Sequence, residues 1–142
     1  MKTLELFDIG SPEPSVTDVD GNVRLLDLVE IDEKDVLVRV AETDDHAELA
    51  ELDIPGADLP GVHYLRTFTD VEAMQPELKA GAKLVVIGAG FIGLEVAAVA
   101  RERGLDVTVL EAAARPLARV TSPEMAGFFM DQHIAKGVKF VL

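Results

Sequence analysis

The 142-residue chain has no cysteine. It therefore forms no disulfide of its own, offers no thiolate ligands to an iron–sulfur cluster and holds no thiolate nucleophile. Long hydrophobic runs are missing too. No stretch reaches membrane-spanning length and no basic-then-apolar leader opens the chain, so a cytoplasmic protein with no membrane partner is expected. His46, His63 and His133 are scattered without ligand spacing, so no metal site is expected. Ser11, Ser15 and Ser122 stand in no nucleophile-elbow context, and no residue is assigned a catalytic role.

Positive charge is scarce and unevenly placed. Residues 1–82 hold 6 basic and 20 acidic side chains, a net of −14, whereas residues 83–142 hold 7 and 6, a net of +1. The acidic half would repel the phosphates of a nucleic acid, so no nucleic-acid partner is expected. It reads as a well-solvated face. The length suits one domain with a useful core, and is too short for an enzyme that binds two cofactors.

The chemistry concentrates between Lys83 and Glu111, which read as strand, glycine turn, helix, second strand and carboxylate. Gly88, Gly90 and Gly93 make a G-x-G-x-x-G fingerprint, preceded by the apolar run Leu84-Val85-Val86-Ile87. Gly88 turns the chain, Gly90 lets backbone approach a pyrophosphate, and Gly93 lets the helix lie tight on the sheet. The helix beginning near Phe91 aims its first N–H groups and its positive dipole end at that phosphate. Glu111 stands about 20 residues on, where an acid accepts ribose hydroxyls and repels a 2′-phosphate. NAD is therefore expected over NADP, with Arg115 and Arg119 close enough behind to soften the preference. A glycine turn with no ligand is the alternative.

Ile92, Val96, Val99 and Ala100 are expected to form the buried stripe of this helix, with Glu102 and Arg103 outward and Gly104 ending it. Val107 to Leu110 is a second parallel strand. Ser122-Pro123 starts another helix with core residues Met125, Phe128 and Phe129, Gly137 stops it, and Val138 to Leu142 is a third strand. In the N-terminal half, Val16–Asp18 and Val23–Val29 suggest a hairpin turning at Asp20-Gly21, followed by a strand at Val36–Val40. The aspartates at 18 and 20 do not make a calcium loop, because Val16 and Asp27 occupy its end positions. Residues 44–52 suggest a short acidic helix, and Thr69 to Leu78 a helix weakened by Pro76.

The fold class expected is α/β: a βαβαβ Rossmann-type half with a parallel sheet, preceded by a short β-rich N-terminal segment. Three divisions follow: a β-rich acidic segment over 1–52, a linker plus helix over 53–82, and an NAD-binding βαβαβ unit over 83–142, expected to be incomplete at its C-terminus. A three-stranded sheet of that kind is apolar on both faces and leaves an edge unpaired. Either the N-terminal segment covers the gap, or the chain associates with itself or with an FAD-domain polypeptide.

The stretch LVVIGAGFIGLEVAAVARERGLDVTVLEAAARPLARV, with PGADLPGVHYLRTFTDVEAM before it, resembles the flavin-dependent pyridine nucleotide–disulfide oxidoreductase superfamily. Within it, the NADH-dependent ferredoxin, rubredoxin and putidaredoxin reductases that feed oxygenases are most similar. The resemblance implies that an FAD domain wraps around an NADH domain. It implies that the turn Gly88, Ala89, Gly90, Phe91, Ile92 and Gly93 touches the nucleotide and that Glu95 lies near the nicotinamide. It further implies that Glu111 takes the adenosine ribose and Arg119 lies near the adenosine phosphate end. Glu95 has a rival reading as a helix-surface carboxylate.

Two departures stand out. The chain has no earlier glycine fingerprint and no later aspartate motif for FAD, so the FAD that the family implies has no site of its own here. Ala41-Glu42-Thr43 replaces the Ala-Thr-Gly that ends the preceding strand in such enzymes. The expected function is the NAD(H)-binding portion of a flavin-dependent NADH:ferredoxin oxidoreductase, inactive alone, with NADH as its ligand. The alternative is a non-enzymatic truncated or rearranged nucleotide-binding protein.

Overall fold

The computed structural model describes residues 36–40 and 57–142. In chain order these form β1 (Val36–Val40), β2 (Val62–Leu65), α1 (Phe68–Met74), β3 (Lys83–Ile87), α2 (Phe91–Glu102), β4 (Asp106–Leu110), α3 (Pro123–Ala135) and β5 (Lys139–Val141). The strands make one parallel sheet in the order β2-β1-β3-β4-β5. The expected hairpin at residues 16–29 and the acidic helix at 44–52 lie outside the described residues.

The fingerprint half follows the sequence reading. β3 is a run of apolar residues, and Leu84, Val85 and Val86 are all buried. Ser122 caps α3 by accepting from the Met125 N–H, with Pro123 at the first helical position. The helix before β3 is shorter than the expected Thr69–Leu78. Thr67 and Asp70 cap α1 reciprocally, and the helix gives way to a 3-10 turn over Gln75–Glu77, where Pro76 has no N–H to continue the ladder.

Two expectations need correction. The first concerns helix faces. The residues of α2 that meet the sheet are Gly93, Leu94, Ala97 and Ala100, while Ile92 and Val99 are exposed. Gly93, Ala97 and Ala100 let the helix lie close on the strands, and of the expected stripe Ala100 is buried and Val96 packs against the core. On α3, Ala126 is buried and Phe129 packs against the core, whereas Met125 and Phe128 are exposed.

The second correction concerns the sheet, which has five strands rather than three. β1 is one of the two added strands. It pairs in parallel with β3 through Val36–Leu84 to Arg39–Ile87, and in parallel with β2 on its other edge. The edge of β3 that a three-stranded sheet would leave open is thus filled, and Val36 and Val38 join the core beside Leu84 and Val86. β2, within the expected linker, went unrecognised because its four residues carry little pattern.

The three α-helices among the described residues lie on one face. Parallel crossovers are right-handed, and β2 to β3, β3 to β4 and β4 to β5 all step in the same direction across the sheet. The core agrees: Val36, Val38, Leu84, Val86, Val107 and Val109 alternate along their strands and meet Met74 of α1, Leu94 and Ala97 of α2 and Phe129 of α3. Among the described residues, no helix is long and apolar enough to cross a membrane.

Candidate functional site

β3 delivers the chain to the carboxyl edge of the sheet, where Gly88 turns it with φ of 103°. A side chain is strained in that left-handed region, so glycine is required. The Gly88 N–H donates to the Leu110 carbonyl at 2.8 Å, which hooks the turn onto the end of β4. Ala89 follows, fully buried. Its N–H donates to Oε2 of Glu111 at 2.7 Å, and its carbonyl accepts from the Leu117 N–H at 3.0 Å. Both backbone groups of Ala89 are therefore held by the segment that follows β4.

Gly90 then begins α2 in an extended conformation, and no side chain caps that end. The contrast with α1 and α3, capped by Thr67 and Ser122, is direct. An α-helix starts with backbone N–H groups that have no intrahelical partner, and their aligned dipoles favour an anion there. A pyrophosphate satisfies both demands.

Among the described residues, Glu111 is the one buried charged side chain, 9% exposed. Its Oε1 accepts from the Ala113 N–H at 2.8 Å while Oε2 holds Ala89. Each carboxylate oxygen has two lone-pair directions, so both oxygens retain capacity for a ribose hydroxyl. The side chain is a strut for the turn as well as an acceptor at its edge.

The loop from Glu111 to Thr121 is itself strongly held. Leu117 has φ of 53°, an unusual conformation for a branched residue. Its side chain is buried, and its carbonyl accepts from the Val120 and Thr121 N–H groups at 3.1 Å. The Arg115 guanidinium donates to the carbonyls of Leu117, Ala118 and Thr121, at 3.4, 3.0 and 3.0 Å. Arg115 thus braces the loop instead of standing in solvent. Leu117 and Arg115 were not singled out as parts of the turn. Their signal was the E-x-x-x-R-P-L-x-R segment, whose internal spacing is this clamp.

Among the residues expected at the site, the structure joins Gly88, Ala89 and Glu111 by hydrogen bonds. Gly93 is buried against the sheet. Phe91 and Ile92, 52% and 41% exposed, present apolar surface beside the turn. Glu95 is exposed one turn into α2, and Arg119 is exposed two residues beyond Leu117.

Residues 47–142 match the family model described as pyridine nucleotide-disulphide oxidoreductase. Rhodocoxin reductase of Rhodococcus erythropolis is 58% identical over 87 residues, which are 61% of this chain and 20% of that protein. A ferredoxin–NAD(P)(+) reductase of a Sphingomonas species is 48% identical over 87 residues, 61% of this chain and 21% of the relative. The crystal structure of a ferredoxin reductase from Rhodopseudomonas palustris superposes with a TM-score of 0.61 at 47% identity, covering 65% of this chain and 23% of that one. The chain thus spans about a fifth of the length of the relatives it matches.

Proposed function

Since the chain belongs to the pyridine nucleotide-disulphide oxidoreductase family, we propose that it is the NAD(H)-binding portion of a flavin-dependent NADH:ferredoxin oxidoreductase of the rubredoxin or putidaredoxin reductase type. One observation carries this reading: the glycine turn after β3 is clamped through both backbone groups of Ala89, while the N-terminus of α2 beside it carries no side-chain cap. A pyrophosphate fits there, with Gly88, Gly90 and Gly93 shaping the approach.

In this proposal the uncapped amides of α2 bind the pyrophosphate, and Glu111 accepts the hydroxyls of the adenosine ribose. A 2′-phosphate brought against that carboxylate would be repelled, so NADH is favoured. Arg119 lies toward the adenosine phosphate. Phe91 and Ile92 supply apolar contact to the nicotinamide nucleotide and Glu95 flanks its ring. FAD, when bound in an enzyme of this type, accepts hydride from NADH and passes electrons on. The sequence carries one glycine fingerprint, and this proposal gives it to NAD(H). Ferredoxin-type acceptors and the FAD-bearing polypeptide belong to the whole enzyme, which we place in the cytoplasm.

A second reading is a free-standing nucleotide-binding protein with no redox activity. It is favoured by β1 and β2, which continue the sheet past β3 with strands of this same chain. Titrating NADH, NADPH and FAD into the purified chain tests both. The expected result is NADH binding, no flavin absorbance near about 450 nm and no NADH oxidation. Restoration of NADH oxidation by an added FAD-domain polypeptide supports the first reading, and a yellow preparation that oxidises NADH alone overturns the absence of a flavin site. Failure to bind any dinucleotide overturns both.

A further inference from the structure

The glycine turn is held from outside by the loop after β4, and that loop is held in its turn by one side chain. The Ala89 carbonyl accepts from the Leu117 N–H at 3.0 Å, and the Leu117 carbonyl accepts from the N–H groups of Val120 and Thr121 at 3.1 Å. The Arg115 guanidinium completes this series of contacts by donating to the carbonyls of Leu117, Ala118 and Thr121. We infer that Arg115 is a positioning residue for the nucleotide: it touches no part of the ligand and sets its affinity by locking Leu117 against Ala89. This rests on the proposal that the turn binds NAD(H).

Three observations support it. First, three carbonyl oxygens between Leu117 and Thr121 converge on one half-buried guanidinium. A rigid group with five N–H donors serves three acceptors in a fixed geometry, and an ammonium on a flexible stem loses that geometry. Second, Leu117 has φ of 53°, a conformation that a branched residue keeps only where its surroundings enforce it. Pro116 and the Leu117 side chain are buried and anchor the loop, while the guanidinium supplies the polar half of the constraint.

Third, Arg115 also fastens the start of α3. The Thr121 carbonyl that it holds immediately precedes Ser122, the cap of that helix. The carboxyl of Glu124, in the first turn, is held below its ordinary range by its own backbone N–H, by the Ser122 hydroxyl and, more weakly, by the Arg115 charge. One side chain thus ties the beginning of α3 to the turn from which α2 begins. Removing it should loosen the turn while leaving β3, which is held by its neighbouring strands, in place.

Amide exchange on the free chain, and titration with ADP, NADH and NADPH, test the inference in Arg115→Met and Arg115→Lys. Without nucleotide, Arg115→Met should speed exchange at Ala89 and Leu117 about tenfold and leave Leu84, Val85 and Val86 within about twofold of the wild-type chain. Affinity for all three nucleotides should fall by a common factor of about ten, because each uses the same turn. Arg115→Lys keeps the charge and loses the fork, so at least about threefold of that loss should remain. Where Arg115→Met does not fold, Arg115→Lys carries both readings. Unchanged affinity alongside faster exchange throughout β3 would reduce Arg115 to general stability and overturn the inference. A loss confined to NADPH would make Arg115 a ligand of the nucleotide, and full recovery by lysine would make its charge the cause; either result overturns it too. If the wild-type chain binds none of the three nucleotides, the NAD(H) reading fails first and this one with it.

Discussion

The two halves of the sheet are assembled by different means. From β3 to β5 each strand pairs with the next one in sequence, through crossovers that carry α2 and α3 back over the same face. β1 instead pairs with β3 across the whole of β2 and α1, and β2 holds the outer edge beyond it. Local pairing makes the first half readable and quick to form, while distant pairing must wait for loop closure. Yet β1 is no appendage. It has neighbours on both edges, and Val38 is as fully buried as Val86. The comparison teaches that a strand with no motif can be as central to the core as the strand that bears the fingerprint.

Val38→Asp strikes that comparison hardest. An unpaired carboxylate in the core costs several kcal/mol, comparable with the roughly 5–15 kcal/mol of a whole domain, so the cooperative melt should vanish, as it should for Val86→Asp. A Val38→Asp chain that melts normally would show β1 to be peripheral. Gly90→Val comes next. Its backbone is extended and tolerates a side chain, so melting should shift by only about 1 kcal/mol, whereas NADH binding should fall by a hundredfold or so because the Cβ stands where pyrophosphate must approach. Unchanged affinity would make the loop a turn without a ligand.

Glu111→Gln separates the strut from the ribose acceptor. An amide oxygen can accept from Ala89 or Ala113 but not both, so stability should fall by about 1.5–3 kcal/mol, and preference for NADH over NADPH should shrink at the same time. Lost stability with preference kept would leave Glu111 a strut alone. The smallest effect is at α1. The backbone N–H of Thr67 donates to the Asp70 carboxylate and holds its pKa below the ordinary aspartate value. Because the folded value is the lower one, the stabilisation is present above the unfolded pKa and fades as pH falls through the folded one. Acidification should therefore loosen the first turn of α1, seen as faster amide exchange, and Asp70→Asn should remove that pH dependence while neutral-pH exchange rises slightly.

The fingerprint half was legible because its signals are local and agree: apolar strands, a glycine where φ is positive, Ser122 as a cap and Gly137 as a stop. Helix faces were less so. Hydrophobic periodicity weights Ile92, Val99 and Phe128, but closeness to the sheet selects Gly93, Ala97 and Ala126. The position of β1 was hidden since Val36 to Val40 reads the same in an antiparallel or a parallel sheet. The role of Glu111 was half visible. Its spacing from Gly88 underlies the proposed ribose contact, but the bond to the Ala89 N–H depends on how the loop after β4 folds back, through the left-handed Leu117 that no propensity suggests.

The central claim is that the turn held by Glu111 is a dinucleotide site selective for NADH. Calorimetric titration of the purified chain with NADH and then NADPH, in one buffer, tests it most directly. A charged hydrogen bond to ribose of about 1.5–3 kcal/mol predicts at least about tenfold tighter binding of NADH. Equal affinities, or no heat with either nucleotide, would contradict the account.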